Sequence, residues 1–508
     1  MPFRVEETTI EEIHAAFGSG QLTCRSLVEA YLARIEKYDG AGPELNAIVT
    51  VNPHALEAAD ELDRAWERGD VIGPLHGIPV LVKDQAETAG ITTTFGSEAF
   101  ADYVPSEDAT VVKRLKAAGA VILAKTNLPD FATSWFAYSS SGGITKNPYS
   151  TNRDPGGSSS GTGAGIAANF GVVGVGEDTG GSIRVPASFN NLVGLRPTTG
   201  LVSRKGLSPL VTFQDTAGPM ARTVRDTAIL LDAMVGYDPE DPFTVAATLA
   251  SEYGKPGGYA ENLGAADLGD ARIGVLRDAF GDPEDPDCAA VTGVVEGAVE
   301  ALRAAGATIV DPVELPGLAD HIGVTSLYLS QSRYDIDQFL STRPGNHTVS
   351  ELFETKRFHP RLDLFIEIHE NAPENPEDDP NYYRGLAARE VFRREILKLM
   401  AEHRLDAILF PNSQVLPPTR QELDDWKWTV LTFPTNALIA AQSDLPSICL
   451  PAGFSDENIP VGFEMIGRPF AESKLLSLAL AYELAAKPRR SPKTAPPLDA
   501  PDDAAALR

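Results

Sequence analysis

The chain has 508 residues, of which 43% are apolar and 22% charged, proportions typical of a globular protein and too apolar for a disordered one. It carries 43 Lys and Arg residues against 71 Asp and Glu residues, and this net charge of −28 argues against direct binding of nucleic acid or of anionic lipid. The three cysteines (Cys24, Cys288 and Cys449) are too far apart for a disulfide framework or for a CxxC zinc or redox site.

No apolar run reaches the roughly 18–20 residues that span a bilayer. The N-terminus also lacks the basic and then apolar pattern of a secretion signal. We therefore expect a cytoplasmic protein without a membrane segment. The absence of a repeat in the sequence disfavours solenoids and propellers.

The predicted elements begin with helices. Thr9 and Glu12 have the spacing of a capping box, apolar residues between 27 and 35 share one helical face, and another helix is predicted over Ala55–Glu67. Further along, short apolar runs predict buried strands at residues 78–82, 121–124, 172–175, 273–276, 407–410, 447–450 and 462–465. Helical patterns lie between them at residues 223–235, 289–305, 383–402 and 473–483. This alternation predicts an α/β layer architecture with a buried, largely parallel sheet.

The chain shows no linker, so we predict one compact domain over residues 1–490. Residues 315–382 fit the alternation of strands and helices poorly and include a Pro- and acid-rich stretch at 372–381, which predicts a variable insertion around a substrate site. The tail at 491–508 is rich in proline, alanine and charged residues and is predicted to be a loose end.

The densest chemical signal is a run of glycine and serine. Its sequence is GGSSSGTG at 156–163, and GGSIR follows at 180–184. An isolated run of this kind is typical of a flexible loop, but small apolar residues at 164–170 and a strand-like run follow it directly. Clustered glycines let backbone N–H groups approach a ligand closely, and two nearby serines can supply a nucleophile and a proton relay.

Two familiar motifs match this run only loosely. Residues 157–161 fit G-x-S-x-G, the nucleophile elbow of α/β-hydrolase esterases, but that elbow follows a strand and needs a late histidine. Here residues 147–155 predict a loop, and His369 and His403 lie in helical surroundings. A dinucleotide fingerprint at 163–168 also lacks its preceding strand, and no P-loop or HExxH motif occurs. An α/β-hydrolase-type esterase therefore stays a weaker alternative.

A set of segments in a fixed order resembles the amidase signature family of serine hydrolases. They are GIPVLVKD at 77–84, KTNLPDFA at 125–132, KNP at 146–148 leading to PGGSS at 155–159, DTGGSIR at 178–184, GLRPT at 194–198 and PVGFEMIG at 460–467. Ser158 and Ser182 lie 24 residues apart, which is the family's spacing. The resemblance implies the family's fold: a single large domain with a central mixed, mostly parallel β-sheet, helices on both faces, and a signature region at about 70–230.

The resemblance also implies a mechanism. Ser182 would attack the amide carbonyl and become acylated, and Lys83 would act as the base through Ser158, which follows a cis peptide bond in the family. Lys83 must be neutral to accept a proton, so its pKa has to fall from about 10.4, and burial beside the apolar residues 80–82 acts in that direction. No metal or cofactor is implied.

Further roles follow from the same resemblance. Backbone N–H groups at Thr179, Gly180 and Gly181 would bind the developing oxyanion. The substrate would contact Phe131, Ala132, Thr133 and Ser159, and aromatic residues would make the acyl pocket tolerant of aryl or bulky apolar groups, namely Trp135, Phe136, Tyr328 and Tyr334.

Two residues depart from the family's pattern. Glu177 stands where a small or hydroxylated residue is usual, and Ser160 stands where glycine is usual. Neither change removes a catalytic atom. We expect the Glu177 carboxylate to be satisfied by nearby backbone N–H groups.

The family resemblance favours a stand-alone amidase that acts on a small-molecule carboxamide, anilide or carbamate, similar to an aryl acylamidase or a urethanase. It would be a monomer or homodimer without direct contact to nucleic acid or membrane. The alternative within the family is the A subunit of a tRNA-dependent amidotransferase, which needs a partner chain. A non-catalytic binding protein is disfavoured because Lys83, Ser158 and Ser182 all carry the expected residue.

Overall fold

The structure is a computed structural model that describes residues 3–252, 255, 258–264 and 267–499. Its strands are β1 Ile48–Val51, β2 Pro79–Lys83, β3 Val121–Thr126, β4 Tyr138–Ser139, β5 Gly143–Ile144, β6 Val173–Asp178, β7 Val193–Arg196, β8 Thr216–Ala221, β9 Arg272–Leu276, β10 Thr308–Val313, β11 Ala407–Pro411, β12 Ser447–Phe454 and β13 Pro460–Ile466.

The helices are α1 Ile10–Gly18, α2 Cys24–Tyr38, α3 Ala55–Glu67, α4 Thr110–Ala117, α5 Ser160–Ala167, α6 Arg184–Phe189, α7 Val224–Met234, α8 Gly258–Glu261, α9 Pro286–Ala304, α10 Leu318–Thr325, α11 Tyr328–Leu340, α12 Val349–Glu354, α13 Asp363–Asn371, α14 Tyr382–Glu402, α15 Arg420–Asp424, α16 Leu438–Ser443 and α17 Glu472–Ala486. None of them, within the part of the chain that the structure describes, is long and apolar enough to cross a membrane.

Eleven strands form one mixed sheet in the order β1-β3-β2-β6-β8-β7-β12-β13-β11-β9-β10, and β4 and β5 form a separate hairpin. The parallel pairs form two blocks, β3-β2-β6 and β11-β9-β10. Antiparallel pairs join these blocks through β8, β7, β12 and β13. Helices pack against the sheet, α5 on β2 and β6, and α9 on β12 and β13. The predicted α/β domain with a mixed sheet is confirmed.

Most predicted elements have the expected type. The capping box of Thr9 and Glu12 is present, α3 spans Ala55–Glu67, and all seven apolar runs are strands. Four strands of the main sheet were not predicted: β1, β7, β8 and β10. The sequence of β8 is TAGPMA, which has one β-branched residue and no aromatic residue to identify a strand, and β10 is largely exposed.

The block of strands β3-β2-β6 determines where the site lies. These three strands are fully buried and parallel, and Val80, Leu81 and Val82 pair with Val173, Gly174 and Val175. The carboxyl ends of parallel strands lie at the same edge of a sheet. Lys83, the last residue of β2, therefore lies beside the end of β6, where the chain continues into the predicted nucleophile segment.

Residues 315–382, the predicted insertion, form the four helices α10–α13 and a short 3₁₀ turn. Their apolar side chains, among them Tyr328 and Phe365, join a buried cluster that also contains Phe131, Trp135 and Val185 of the signature region. The insertion therefore packs directly on the segment that carries Ser182.

The tail is not loose over its first residues. Ala495 is buried, and its carbonyl oxygen and that of Pro496 accept hydrogen bonds from the guanidinium of Arg34 at 2.8 and 3.0 Å. The prediction of a loose end beginning at residue 491 is wrong for this part, because the buried Arg34 needs acceptors that the tail supplies. Residues 500–508 lie outside the described part of the chain.

Candidate active site

Lys83 is buried at the end of β2, and its ammonium nitrogen contacts the first serine turn. Lys83 Nζ donates to Ser158 Oγ at 2.8 Å and to the Glu177 carbonyl oxygen at 3.2 Å. Lys83 is 1% exposed and Ser158 is fully buried. Burial lowers the pKa of Lys83 below its ordinary value, the direction that a lysine base requires.

Ser158 lies in a tight turn just before α5, and the Gly157–Ser158 peptide bond is cis. The next residue connects this turn to the predicted nucleophile segment, because the Ser159 N–H donates to the Ser182 carbonyl oxygen at 3.2 Å. Ser159 Oγ lies 3.3 Å from both the N and the O of Glu177, so it bonds to the backbone of β6. Lys83 and Ser158 are therefore in direct contact, and the backbone of Ser182 lies beside their turn. The catalytic roles of the three residues stay a prediction.

Ser182 lies in the turn between β6 and α6, and Asp178 shapes that turn. Asp178 Oδ1 accepts from the Gly181 N–H at 2.8 Å and Oδ2 from the Ile183 N–H at 3.1 Å. The guanidinium of Arg184 lies at 3.0 Å and that of Arg196 at 2.8 Å from the same carboxylate. These cations hold the pKa of Asp178 well below its ordinary value.

The predicted oxyanion donors lie in this turn. The Gly181 N–H donates to Asp178 Oδ1, so the expectation that it binds the oxyanion does not fit this structure, because the carboxylate already accepts from it. The φ of Gly181 is +124°, a conformation that favours glycine. Gly180 packs against the insertion, since a Cβ there would lie 1.8 Å from Tyr328 Oη. Thr179 Oγ1 donates to Asp215 Oδ1 at 2.6 Å, which fixes the start of the turn.

The Glu177 side chain does not behave as predicted. Its carboxylate turns toward Lys83, with Oε2 3.4 Å from Nζ, and Oε1 lies 3.3 Å from Thr179 Oγ1. The expectation that nearby backbone N–H groups satisfy this carboxylate is therefore wrong. The buried lysine at the end of the neighbouring strand is the stronger partner, because two buried opposite charges stabilise one another in a medium of low dielectric constant.

The residues predicted to contact the substrate lie in the wall of the buried aromatic cluster. Phe131 is fully buried, stacks on Phe365 at 6.3 Å and contacts Phe100 edge to face at 6.2 Å. Ala132 and Thr133 are buried beside it in the short turn Asp130–Ala132 and just after it, and Thr133 Oγ1 donates to the Asp130 carbonyl.

Four aromatic residues were predicted to shape the acyl pocket. Tyr328 is buried against Gly180, and the backbone of Trp135 lies close to Gly157, where a Cβ would be 3.1 Å from the Trp135 carbonyl carbon. Phe136 is buried in the same cluster against Phe433. Tyr334 is 39% exposed, so the structure does not place it with the others.

The site therefore combines a buried lysine in contact with Ser158 and a neighbouring turn that carries Ser182, on an α/β fold. Residues 26–476 match the model of the Amidase family, and the chain belongs to that family. It is 34% identical to the A subunit of the glutamyl-tRNA(Gln) amidotransferase of Alkaliphilus metalliredigens, over 94% of this chain and 96% of that protein. The family is one of hydrolases that act on carbon–nitrogen amide bonds.

Solved structures agree with this assignment. The native peptide amidase of Stenotrophomonas maltophilia superposes with a TM-score of 0.83 and 36% identity, over 97% of this chain and 100% of that one. An amidase family protein of Bacillus anthracis superposes with a TM-score of 0.82 and 30% identity, over 96% of this chain and 93% of that one.

Proposed function

We propose that this chain is a stand-alone amidase that hydrolyses a carboxamide, anilide or carbamate through an acyl-enzyme on Ser182. The contact between Lys83 Nζ and Ser158 Oγ, at 2.8 Å and fully buried, carries the proposal. A lysine in that position serves as a base only when a proton can reach it through the serine. The Ser159 N–H, bonded to the Ser182 carbonyl, keeps the relay serine next to the nucleophile.

In the first half of the reaction, neutral Lys83 takes the proton of Ser158 while Ser158 takes the proton of Ser182. Ser182 Oγ then forms a bond to the carbonyl carbon of the substrate, and the carbonyl oxygen becomes negatively charged in the turn of Thr179 and Gly180. The proton returns through Ser158 to the amide nitrogen, which leaves as ammonia or an amine. The acyl group stays on Ser182.

In the second half, water attacks the acyl carbon, and its proton follows the same path through Ser158 to Lys83. The bond to Ser182 Oγ breaks, the serine recovers its proton, and the acid leaves. A carbamate would follow the same steps and release carbon dioxide after hydrolysis of the carbamoyl group. The buried cluster of Phe131, Trp135 and Tyr328 next to the turn supports an acyl pocket for aryl or bulky apolar groups.

The test is a panel of one acylated phenylalaninamide, one anilide, one aryl carbamate and one short aliphatic amide, with release of ammonia or amine as the readout. We expect hydrolysis of at least one bulky substrate by the purified chain, and none by Ser182→Ala. Ser160→Ala is the matched control, because Ser160 begins α5 directly after the serine turn and stands where the family usually has glycine. This variant should keep its turnover. Turnover by Ser182→Ala would contradict the proposal.

A second candidate is the A subunit of an amidotransferase. The observation that favours it is the 34% identity to the protein of that name from Alkaliphilus metalliredigens, over almost the whole chain. That function would require a partner chain. Co-purification of a second protein, together with amide hydrolysis only in its presence, would favour this candidate over the stand-alone amidase.

A further inference from the structure

Glu177 places a carboxylate directly beside the lysine base. The distance from Lys83 Nζ to Glu177 Oε2 is 3.4 Å, and both side chains are only 2% exposed. The proposed mechanism needs Lys83 without its proton, and a carboxylate at this distance favours the protonated form. The inference below rests on the proposed function, because it concerns the same base.

The surroundings of Lys83 Nζ fit an ammonium group. Three acceptors surround the nitrogen: Ser158 Oγ at 2.8 Å, the Glu177 carbonyl oxygen at 3.2 Å and Glu177 Oε2 at 3.4 Å. An ammonium group has three N–H donors and no lone pair. A neutral amine that is to take the Ser158 proton must instead turn its lone pair toward Ser158 Oγ.

The other charges near the pair are already balanced or neutral. Asp178, the next residue, is paired with the guanidinium groups of Arg184 and Arg196. Asp215 accepts from Thr179 Oγ1, and burial together with Glu177 raises the pKa of Asp215 to about 8. The hydroxyl of Tyr328 is also buried there, and burial raises its pKa. Glu177 is therefore the charge that acts most directly on Lys83.

Buried Glu177 and Asp215 line a cavity of about 420 Å³ that exposed Glu240 also lines, so protons can reach Glu177 through it. Its wall also contains Ser208, Asp335, Gln338 and Phe339. The cations at its rim are paired, Arg204 with Asp241 and Lys205 with Glu240. Buried Gln85, which follows Lys83 by two residues, donates to the Ser208 carbonyl oxygen.

Burial and the carboxylate act in opposite directions on Lys83. Burial is the larger effect on Lys83 and lowers its pKa below the ordinary value, while Glu177 opposes this by raising it. Burial is also the larger effect on Glu177 and raises the pKa of its carboxyl, while Lys83 opposes this by lowering it. Replacing Glu177 with an uncharged residue removes the opposing contribution, so Lys83 loses its proton at a lower pH.

We infer that Glu177 holds Lys83 in its ammonium form in the resting enzyme and thereby confines the nucleophilicity of Ser182 to alkaline pH. The enzyme becomes active when hydroxide or water takes one proton from Lys83 Nζ. The lysine is then neutral, the Glu177 carboxylate keeps its charge, and the relay through Ser158 becomes available. Glu177 is a positioning residue, since it acts through Lys83 and forms no bond to the substrate.

The test compares wild type with Glu177→Gln, which is isosteric, and Glu177→Thr, which removes both the charge and the length. The matched control is Glu240→Gln, which removes one carboxylate from the exposed rim of the same cavity. Two measurements are made against pH. The first is the carbon-13 shift of the Lys83 Cε in protein with labelled lysine, assigned by its loss in Lys83→Met. The second is the rate at which a fluorophosphonate labels Ser182, located by peptide mapping.

We expect both Glu177 variants to lower the midpoint of the Lys83 titration by at least about one pH unit. On the acid side of the profile, the labelling rate, taken relative to its plateau, should then be about tenfold faster than in wild type. Glu240→Gln should keep the wild-type midpoint. If the Glu177 variants only disturbed the structure, the rate of Ser182 labelling would fall at every pH and would not rise in acid.

The outcomes separate the two proposals. Equal Lys83 midpoints in wild type and both Glu177 variants would overturn the inference, as would Ser182 labelling with an unchanged profile. A shifted Lys83 midpoint without any labelling of Ser182 in wild type would instead overturn the proposed function and leave the effect of Glu177 on Lys83 established.

Discussion

Replacing Asp178 with asparagine should destabilise the protein strongly, because this carboxylate holds two buried cations. Asp178 is fully buried, and its oxygens lie 3.0 Å from Arg184 Nε and 2.8 Å from Arg196 Nη1. Arg184 keeps a second carboxylate, Glu464, at 2.6 Å. In the variant, Arg196 would lose its carboxylate partner and keep only hydrogen bonds to uncharged acceptors, among them the Gln214 carbonyl oxygen at 2.6 Å.

The magnitude follows from the partners that the change leaves behind. Removing one member of a buried ion pair costs about 3–5 kcal/mol, since an uncompensated charge stays in a medium of low dielectric constant. The asparagine side chain would also turn its NH₂ group toward one of two N–H donors, that of Gly181 or that of Ile183, which then loses its acceptor. We therefore expect a loss of about 3–5 kcal/mol in the free energy of unfolding and a large loss of kcat from the distorted turn.

The measurement is urea unfolding followed by tryptophan fluorescence, at a pH near neutrality. Asp60→Asn is the matched control: Asp60 pairs with Arg25 at 2.7 Å but is 37% exposed, so its loss should cost at most about 1 kcal/mol. The lowered pKa of Asp178 means that its contribution is complete above the unfolded value of about 3.9 and is lost as the pH falls toward the folded value. Equal destabilisation by the two variants would refute this reasoning.

Gly180→Ala should abolish most of the activity, because the new Cβ would lie 1.8 Å from Tyr328 Oη. Adding Tyr328→Phe should restore part of the activity by removing that oxygen, and no recovery would contradict the contact. Replacing Lys83, Ser158 or Ser182 with alanine should in each case lower kcat by several orders of magnitude. The double variant Lys83→Ala with Ser182→Ala should be little worse than Ser182→Ala alone, and additive losses would argue against one catalytic unit. Dialysis against a chelator should leave turnover unchanged. The described residues (3–252, 255, 258–264 and 267–499) hold no group of three or more side chains that could bind a metal ion. Loss of activity that a divalent metal restores would contradict this prediction.

The sequence predicted best what its local patterns specify. Lys83 ends a short apolar run and Ser158 follows two glycines, so both the strand and the turn could be read from neighbouring residues. The order of the family segments then indicated that they meet. The structure adds the distance of 2.8 Å between Lys83 and Ser158, but the residues themselves were found without it.

Contacts between segments that are distant in the chain could not be predicted from the sequence. Tyr328 touches Gly180 across 148 residues of chain, and no local pattern distinguishes it from Tyr334, which is exposed. The direction of the Glu177 side chain depends on the register between β2 and β6, because that register decides whether Lys83 lies within its reach. Parallel register is set by packing across the sheet and leaves no signal in either strand alone.

The charges around Ser182 indicate why Asp178 is held by two arginines. Its carboxylate shapes the turn by accepting hydrogen bonds from the Gly181 and Ile183 N–H groups, which places a negative charge beside the position that we propose for the oxyanion. An uncompensated anion there would repel the developing charge and raise the barrier. Arg184 and Arg196 lie against the Asp178 carboxylate and offset its charge. In the mechanism that we propose, the turn can therefore be shaped by a carboxylate and still stabilise an anion.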